Sequence, residues 1–259
     1  MAKIQLGYAN HPRKEILSEI EWIARSGFDF IDLFLEPDEG AIEVIDTGKI
    51  REKLKSTGMH ATGHLAWYLP IGSPLSQIRR AAVQTAKEYA EAYAEIGVSL
   101  MTIHSHWPPH LFTAEEGMNW QIESLQEIME FTIPIGVKVM YEPVDGGYDS
   151  PENIRLILDR LPNLLFHLDI GHANLHGRKP DRMIRQFTDR LVHLHLHDNN
   201  GYADLHLPPG TGNINWSAVT KAIKEIDYQR TITIEVFSRD LDYILLAQRK
   251  VRGWLDLDK

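Results

Sequence analysis

The stretch Leu191-Val192-His193-Leu194-His195-Leu196-His197-Asp198-Asn199 alternates leucine and histidine. A strand with this sequence puts His193, His195 and His197 on one face and the leucines on the other. Ile232-Thr233-Ile234-Glu235 repeats the pattern, with the isoleucines turned to helices and Thr233 and Glu235 to an interior. Similar short apolar runs recur at Ile4–Tyr8, Phe30–Leu35, His60–His64, Leu100–His104, Val137–Glu142 and Leu165–Asp169. Longer amphipathic stretches separate them: Lys14–Ser26, Leu75–Ile96, Ala114–Ile135, Pro151–Leu161 and Trp216–Ile226. Ser150-Pro151 reads as an N-cap followed by proline at the first helical position. Gly27, Gly58, Gly97 and Gly136 each close a helical run before a strand.

Eight strand-helix units in 259 residues average about 32 residues each, as βα repeats require. The pattern predicts an α/β fold, a single (β/α)8 barrel occupying residues 1–259 as one domain. A doubly wound open sheet would carry a G-x-G-x-x-G turn after the first strand. The chain has Gly7-Tyr8-Ala9-Asn10-His11 there.

Composition narrows the function classes. Lys plus Arg number 27 and Asp plus Glu 36, giving a net charge of −9. Bulk attraction to nucleic acid or an anionic membrane is disfavoured. Cysteine is absent, which excludes disulfides, thiolate metal sites and Cys nucleophiles. Met1-Ala2-Lys3-Ile4 opens no apolar signal region, and no 18-residue apolar run occurs. The expectation is a cytoplasmic protein. No Ser-His-Asp order, P-loop or G-x-S-x-G motif is present.

The polar residues at strand ends point to chemistry. His64, His104, Glu142, Asp169, His195 and Glu235 close six successive strands. In a parallel barrel such ends meet at one mouth. His172, Asp204 and His206 follow in the adjoining loops. This mixed N/O set without sulfur suits Zn²⁺, Mn²⁺, Fe²⁺ or Co²⁺ better than Ca²⁺. Nine ligands exceed one ion's needs, so one to three ions are expected. The remaining histidines have plainer readings. His60, His167 and His193 are expected as hydrogen-bonded core residues, and His106, His110, His176 and His197 as loop or rim residues. His197 alternatively supports a metal ligand from behind. Trp67 and Tyr68 read either as rim aromatics facing substrate or as loop packing. The acidic run Glu36–Glu43 reads as a solvated helix start, with Glu36 a lesser candidate for the site. Trp254 and Leu255 in the C-terminal tail offer either a homodimer contact or packing on the barrel.

Tyr141-Glu142-Pro143, Leu168-Asp169-Ile170-Gly171-His172, His195-Leu196-His197-Asp198-Asn199, the segment Asp204 to Gly212, and Ile234-Glu235-Val236 resemble the xylose isomerase-like TIM-barrel superfamily. The resemblance covers essentially the whole chain and has two branches. Epimerase-like members hold one divalent ion, and the matching residues are Glu142, Asp169, His195 and Glu235. It implies that Glu142 and Glu235 are the catalytic acid/base pair, with proton transfer through a metal-stabilised enediolate. His172 is implied as a substrate contact, with His64 and Trp67 beside it. Those epimerases place an arginine six residues beyond the strand-seven histidine. Gly201 stands there, which argues against ketohexose 3-epimerisation itself. Endonuclease IV-like members hold three zinc ions, and all nine of their ligand positions match. In that reading Trp67-Tyr68-Leu69 falls where a duplex wedge sits. The resemblance therefore implies a divalent-metal-dependent isomerase or epimerase of a small sugar, sugar acid or cyclitol. Its alternatives are an abasic-site phosphodiesterase with a multinuclear zinc site, a related dehydratase or lyase, and a non-catalytic barrel.

Overall fold

The computed structural model describes residues 3–144 and 147–258. Met1, Ala2, Asp145, Gly146 and Lys259 of the expected span lie outside them. Eight parallel strands form a closed barrel in sequence order. They are β1 (Gln5–Ala9), β2 (Phe30–Phe34), β3 (His60–His64), β4 (Leu100–His104), β5 (Lys138–Glu142), β6 (Leu165–Asp169), β7 (Leu191–Leu196) and β8 (Thr231–Ile234). The helices are α1 (Ile16–Arg25), α2 (Thr47–Thr57), α3 (Ser76–Ile96), α4 (Ala114–Thr132), α5 (Pro151–Arg160), α6 (Pro180–Gln186), α7 (Trp216–Glu225) and α8 (Leu241–Leu255). A 3₁₀ segment, His172–Gly177, follows β6. The barrel fold is as the alternating pattern predicts. No helix among the described residues is long and apolar enough to cross a membrane.

Local chemistry accounts for the helix ends. The Ser150 hydroxyl accepts from the Asn153 N–H at 3.2 Å, ahead of Pro151. Thr113 and Glu116 form a reciprocal capping box at the start of α4. Gly97 ends α3 at φ 100°, a conformation that penalises any residue with a Cβ. The acidic run after β2 corrects one expectation: Glu36–Glu43 forms turns, and the helix begins only at Thr47. α2 buries only Ile50 and Leu54, so its apolar stripe is too thin to stand out in the sequence.

Side-chain alternation divides the barrel into two layers. On β2, Ile31 and Leu33 join the apolar layer between sheet and helices. Asp32 faces inward, with its carboxylate against β3 and β7. On β8, Ile232 and Ile234 lie in the apolar layer while Thr233 turns inward. The register aligns His104 with Glu142 and Asp169 with His195. Trp254 stacks on Trp216 with ring centroids 5.5 Å apart, and Leu255 is buried. The two residues read as a C-terminal tail thus end α8 and pack on their own barrel.

Tyr93 of α3 locks this frame to the mouth. It is fully buried, and its hydroxyl accepts from the His64 N–H at 2.9 Å and lies 2.9 Å from the Leu33 carbonyl. Gly63 makes room for the ring, because a Cβ there would lie 2.8 Å from it. Tyr93→Phe leaves the His64 N–H unpartnered and is expected to cost about 1–3 kcal/mol. The urea midpoint should fall with unchanged slope. An unchanged midpoint would show that the hydroxyl contributes nothing.

Candidate functional site

Every strand-end candidate reaches the C-terminal mouth. β3, β4 and β5 deliver His64, His104 and Glu142 from their last positions. Asp169 closes β6, His195 is the penultimate residue of β7, and Glu235 follows β8 directly. Asp204 and His206 arrive on the loop after β7, and His172 on the 3₁₀ segment. These residues and Trp67 surround a cavity of about 320 Å³, with Asp169 and His195 buried beneath.

The candidate ligand atoms fall within three adjoining groups among those the described residues form. His195 Nδ1 lies 3.2 Å from Glu235 Oε2 and 3.8 Å from Asp169 Oδ2, and Glu142 shares the group with Asp169 and His195. His64 Nε2 and His104 Nε2 are 2.9 Å apart, with Glu142 Oε2 at 3.7 and 3.1 Å from them. His172, His197, Asp204 and His206 make the third group. Asp204 Oδ2 is 3.4 Å from His172 Nε2 and 2.9 Å from His206 Nε2.

Asp32 is the residue that sequence reasoning missed. It is fully buried, and its Oδ2 lies 2.7 Å from His195 Nε2. Thr62 donates to Oδ1 at 2.7 Å and Thr233 to Oδ2 at 3.3 Å. With Nε2 engaged by Asp32, Nδ1 is the His195 nitrogen that faces Asp169 and Glu235. A histidine that ligates a metal is commonly held this way by a carboxylate behind it. The available signal was a lone acid on the inward period of Phe30-Ile31-Asp32-Leu33-Phe34.

Other histidines revise their plainer readings. His197, expected at the rim, is fully buried and places Nε2 3.0 Å from Asp169 Oδ1. It fits because Gly171 has no Cβ; one built there would lie 1.9 Å from the His197 ring. His167 and His193 are buried as expected, but both also touch site carboxylates. His167 Nδ1 is 3.2 Å from Glu142, and His193 Nε2 is 3.5 Å from Asp32. His60, expected in the core, is exposed and stacks on Phe30. Asp198, also missed, is fully buried and ties down the loop carrying Asp204 and His206. Its carboxylate accepts from the Gly210 N–H at 2.8 Å and the Trp216 indole at 2.7 Å.

Electrostatics follow from this crowding. Burial alone would raise Asp32, but hydrogen bonds from His193, His195 and His64 hold it well below the usual carboxylate range. Burial opposes ionisation of Glu142 too, and His167 and His104 outweigh it. For Glu235 the opposing groups are His206 and His195. His206 is pushed up to about 9, because Glu235 and Asp204 overcome its burial. Among the described residues no Lys or Arg lines the cavity.

The donor set fits a divalent cation. Glu142 Oε2, Asp169 Oδ2, His195 Nδ1 and Glu235 Oε2 are all buried without a hydrogen-bond partner. Buried polar atoms are rarely left in that state, and here they converge. Oxygen and imidazole donors without thiolate suit a borderline first-row ion.

Residues 20–256 match the family described as xylose isomerase-like TIM barrel. An L-ribulose 3-epimerase of Methylomonas sp. (strain DH-1) is 25% identical over 235 residues, spanning 84% of this chain and 77% of that protein. An uncharacterised protein of Methanocaldococcus jannaschii is 29% identical over 169 residues, spanning 61% of this chain and 58% of its relative. A D-tagatose 3-epimerase-like crystal structure superposes with TM-score 0.88 at 24% identity, covering 98% of this chain and 97% of that one. The IOLI protein with a binding zinc atom superposes with TM-score 0.81 at 16% identity, covering 97% and 98%.

Asp32→Asn removes the charge that orients His195. Affinity for Mn²⁺ or Zn²⁺, measured by titration calorimetry, is expected to fall about 10–100-fold. Unchanged affinity would remove Asp32 from the metal site.

Proposed function

The chain belongs to the xylose isomerase-like TIM-barrel family, and we propose that it is a divalent-metal-dependent isomerase or epimerase of a small sugar, sugar acid or cyclitol. The observation that carries this reading is the convergence of the four unpartnered donors Glu142, Asp169, His195 and Glu235 beneath the cavity. About 320 Å³ is enough for one small polyol. In this reading the four donors hold the cation, with Zn²⁺ or Mn²⁺ preferred and Co²⁺ or Fe²⁺ also suited. When bound, the cation would polarise a carbonyl and its neighbouring hydroxyl and acidify the C–H between them.

The chain's own residues supply the proton traffic. Each carboxylate has two oxygens, so Glu142 and Glu235 can ligate with one and exchange a proton with the other. One removes the substrate proton, and the other returns a proton at a different carbon or face. Their separation onto β5 and β8 suits this division. His172 and His64 offer hydrogen bonds to substrate hydroxyls. Trp67, 61% exposed at the cavity edge, offers an aromatic face.

The second reading, a multi-ion phosphodiesterase on abasic DNA, is favoured by one observation. These three polar groups contain all nine matching ligands, linked through the shared Glu142, which also meets His172 at 3.5 Å, and through His206 against Glu235 at 3.4 Å. The net charge of −9 favours the small molecule over a polyanion.

With metal-loaded protein, solvent deuterium should enter a carbon of a sugar or cyclitol from a broad panel. Glu142→Gln and Glu235→Gln should each slow exchange by about 10²–10⁴-fold. Exchange surviving in both variants would sink the acid/base assignment. Elemental analysis separates the two readings. One ion per chain is expected for the isomerase, whereas three zinc ions with nicking of an abasic duplex would establish the phosphodiesterase.

A further inference from the structure

A second cavity, about 820 Å³, adjoins the reaction cavity. It lies between the loop after β1, the first turns of α1 and the loop after β8. Pro12 and Phe237 line both cavities, so the two share a wall. The Phe237 ring stacks on His206 with centroids 4.2 Å apart, extending the wall of the reaction site outward.

The lining has two chemical components. Trp22 and Phe237 supply aromatic surface, and Trp22 meets the buried Tyr8 edge to face at 5.8 Å. Arg13, Lys14 and Arg239 supply positive charge from two loops more than two hundred residues apart. One carboxylate, Glu19, lines the cavity, and it is engaged by the His11 N–H at 3.0 Å and by Lys14 at 3.5 Å. Arg13 shares its charge with the exposed Asp38 at 3.3 Å. Arg239 is exposed and makes no ion pair among the described residues. The neighbouring reaction cavity is lined by Glu36, Glu142, Asp204 and Glu235, without a Lys or Arg among the described residues. Cations therefore gather on one side of an otherwise acidic mouth.

We propose that this cavity is a subsite for a second, negatively charged ring joined to the reacting sugar. The inference rests on the sugar isomerase or epimerase reading above. Aromatic faces bind the flat apolar side of a ring. Guanidinium and ammonium groups bind its carboxylate. A monosaccharide in the reaction cavity would leave the larger cavity empty. A uronate ring and an aryl carboxylate share the required chemistry.

Two matched pairs of fragments test this by calorimetry and tryptophan fluorescence, without turnover. Methyl glucuronide is set against methyl glucoside, and 4-hydroxybenzoate against 4-hydroxybenzamide. The acid of at least one pair should bind ten-fold or more tightly than its neutral partner, and that pair identifies the source. The K14A/R239A double variant should lose the preference, and Trp22→Phe should lose the fluorescence change while keeping the binding. No preference in either pair, no binding at millimolar concentration, or a preference surviving the double variant overturns the proposal. A fluorescence change surviving Trp22→Phe does the same. The two readings fail separately. Fragment binding without exchange in any sugar would sink the isomerase and leave the subsite, whereas exchange in a small neutral sugar without fragment binding would sink the subsite alone.

Discussion

Asp32, Glu142, Asp169 and Glu235 are almost wholly buried in a mouth whose cavity presents no lysine or arginine among the described residues. Removing ionised carboxylates from water costs several kcal/mol each unless opposite charge and hydrogen bonds replace the lost solvation. Imidazoles provide part of the replacement. His64, His193 and His195 surround Asp32, His104 and His167 flank Glu142, and His195 and His206 flank Glu235. Several donor atoms still face one another without partners. The surrounding architecture serves to hold that arrangement.

Barrel closure makes the arrangement possible. Parallel strands in sequence order bring all their C-terminal ends to one rim. The period of two turns acids and imidazoles inward and gives the apolar residues to the helix layer. Small residues and buried caps refine the result. Gly171 admits the His197 ring, Gly63 admits Tyr93, and Asp198 anchors the loop that returns Asp204 and His206. His206 adopts φ 45°, in the left-handed region, and its ring rests against the Glu235 carbonyl at 3.1 Å. A non-glycine residue keeps such a backbone only where its surroundings hold it.

Much of the barrel was legible because the strands are short and their patterns local. His60–His64, Leu100–His104 and Leu165–Asp169 match the sequence reading at both ends. α2, α6 and α8 were not among the helices read from the sequence; α2 has a thin apolar stripe, α6 only seven residues, and the end of α8 was read as a tail. Glu36–Glu43 misled because acidic residues suit turns as well as helix starts. At the site, the strand-end candidates came from one simple regularity. Asp32 lacked it, lying in mid-strand among apolar residues. His197 lies one residue past the strand, so its sequence position left a rim and a supporting role both open; the inward period it shares with His193 and His195 carries it to Asp169.

The sequence by itself determined the barrel, its inner and outer faces, and the residue types that gather at the mouth. Those depend on periodicity and strand ends, which are properties of neighbouring residues. Tertiary structure decided which nitrogen of His195 is free, because Asp32 comes to it from 163 positions away. It also decided that Arg239 joins Arg13 and Lys14 over an aromatic cavity. Closing the ring sets β8 beside β1, and that adjacency between the two ends of the chain creates a charge pattern that no local stretch contains.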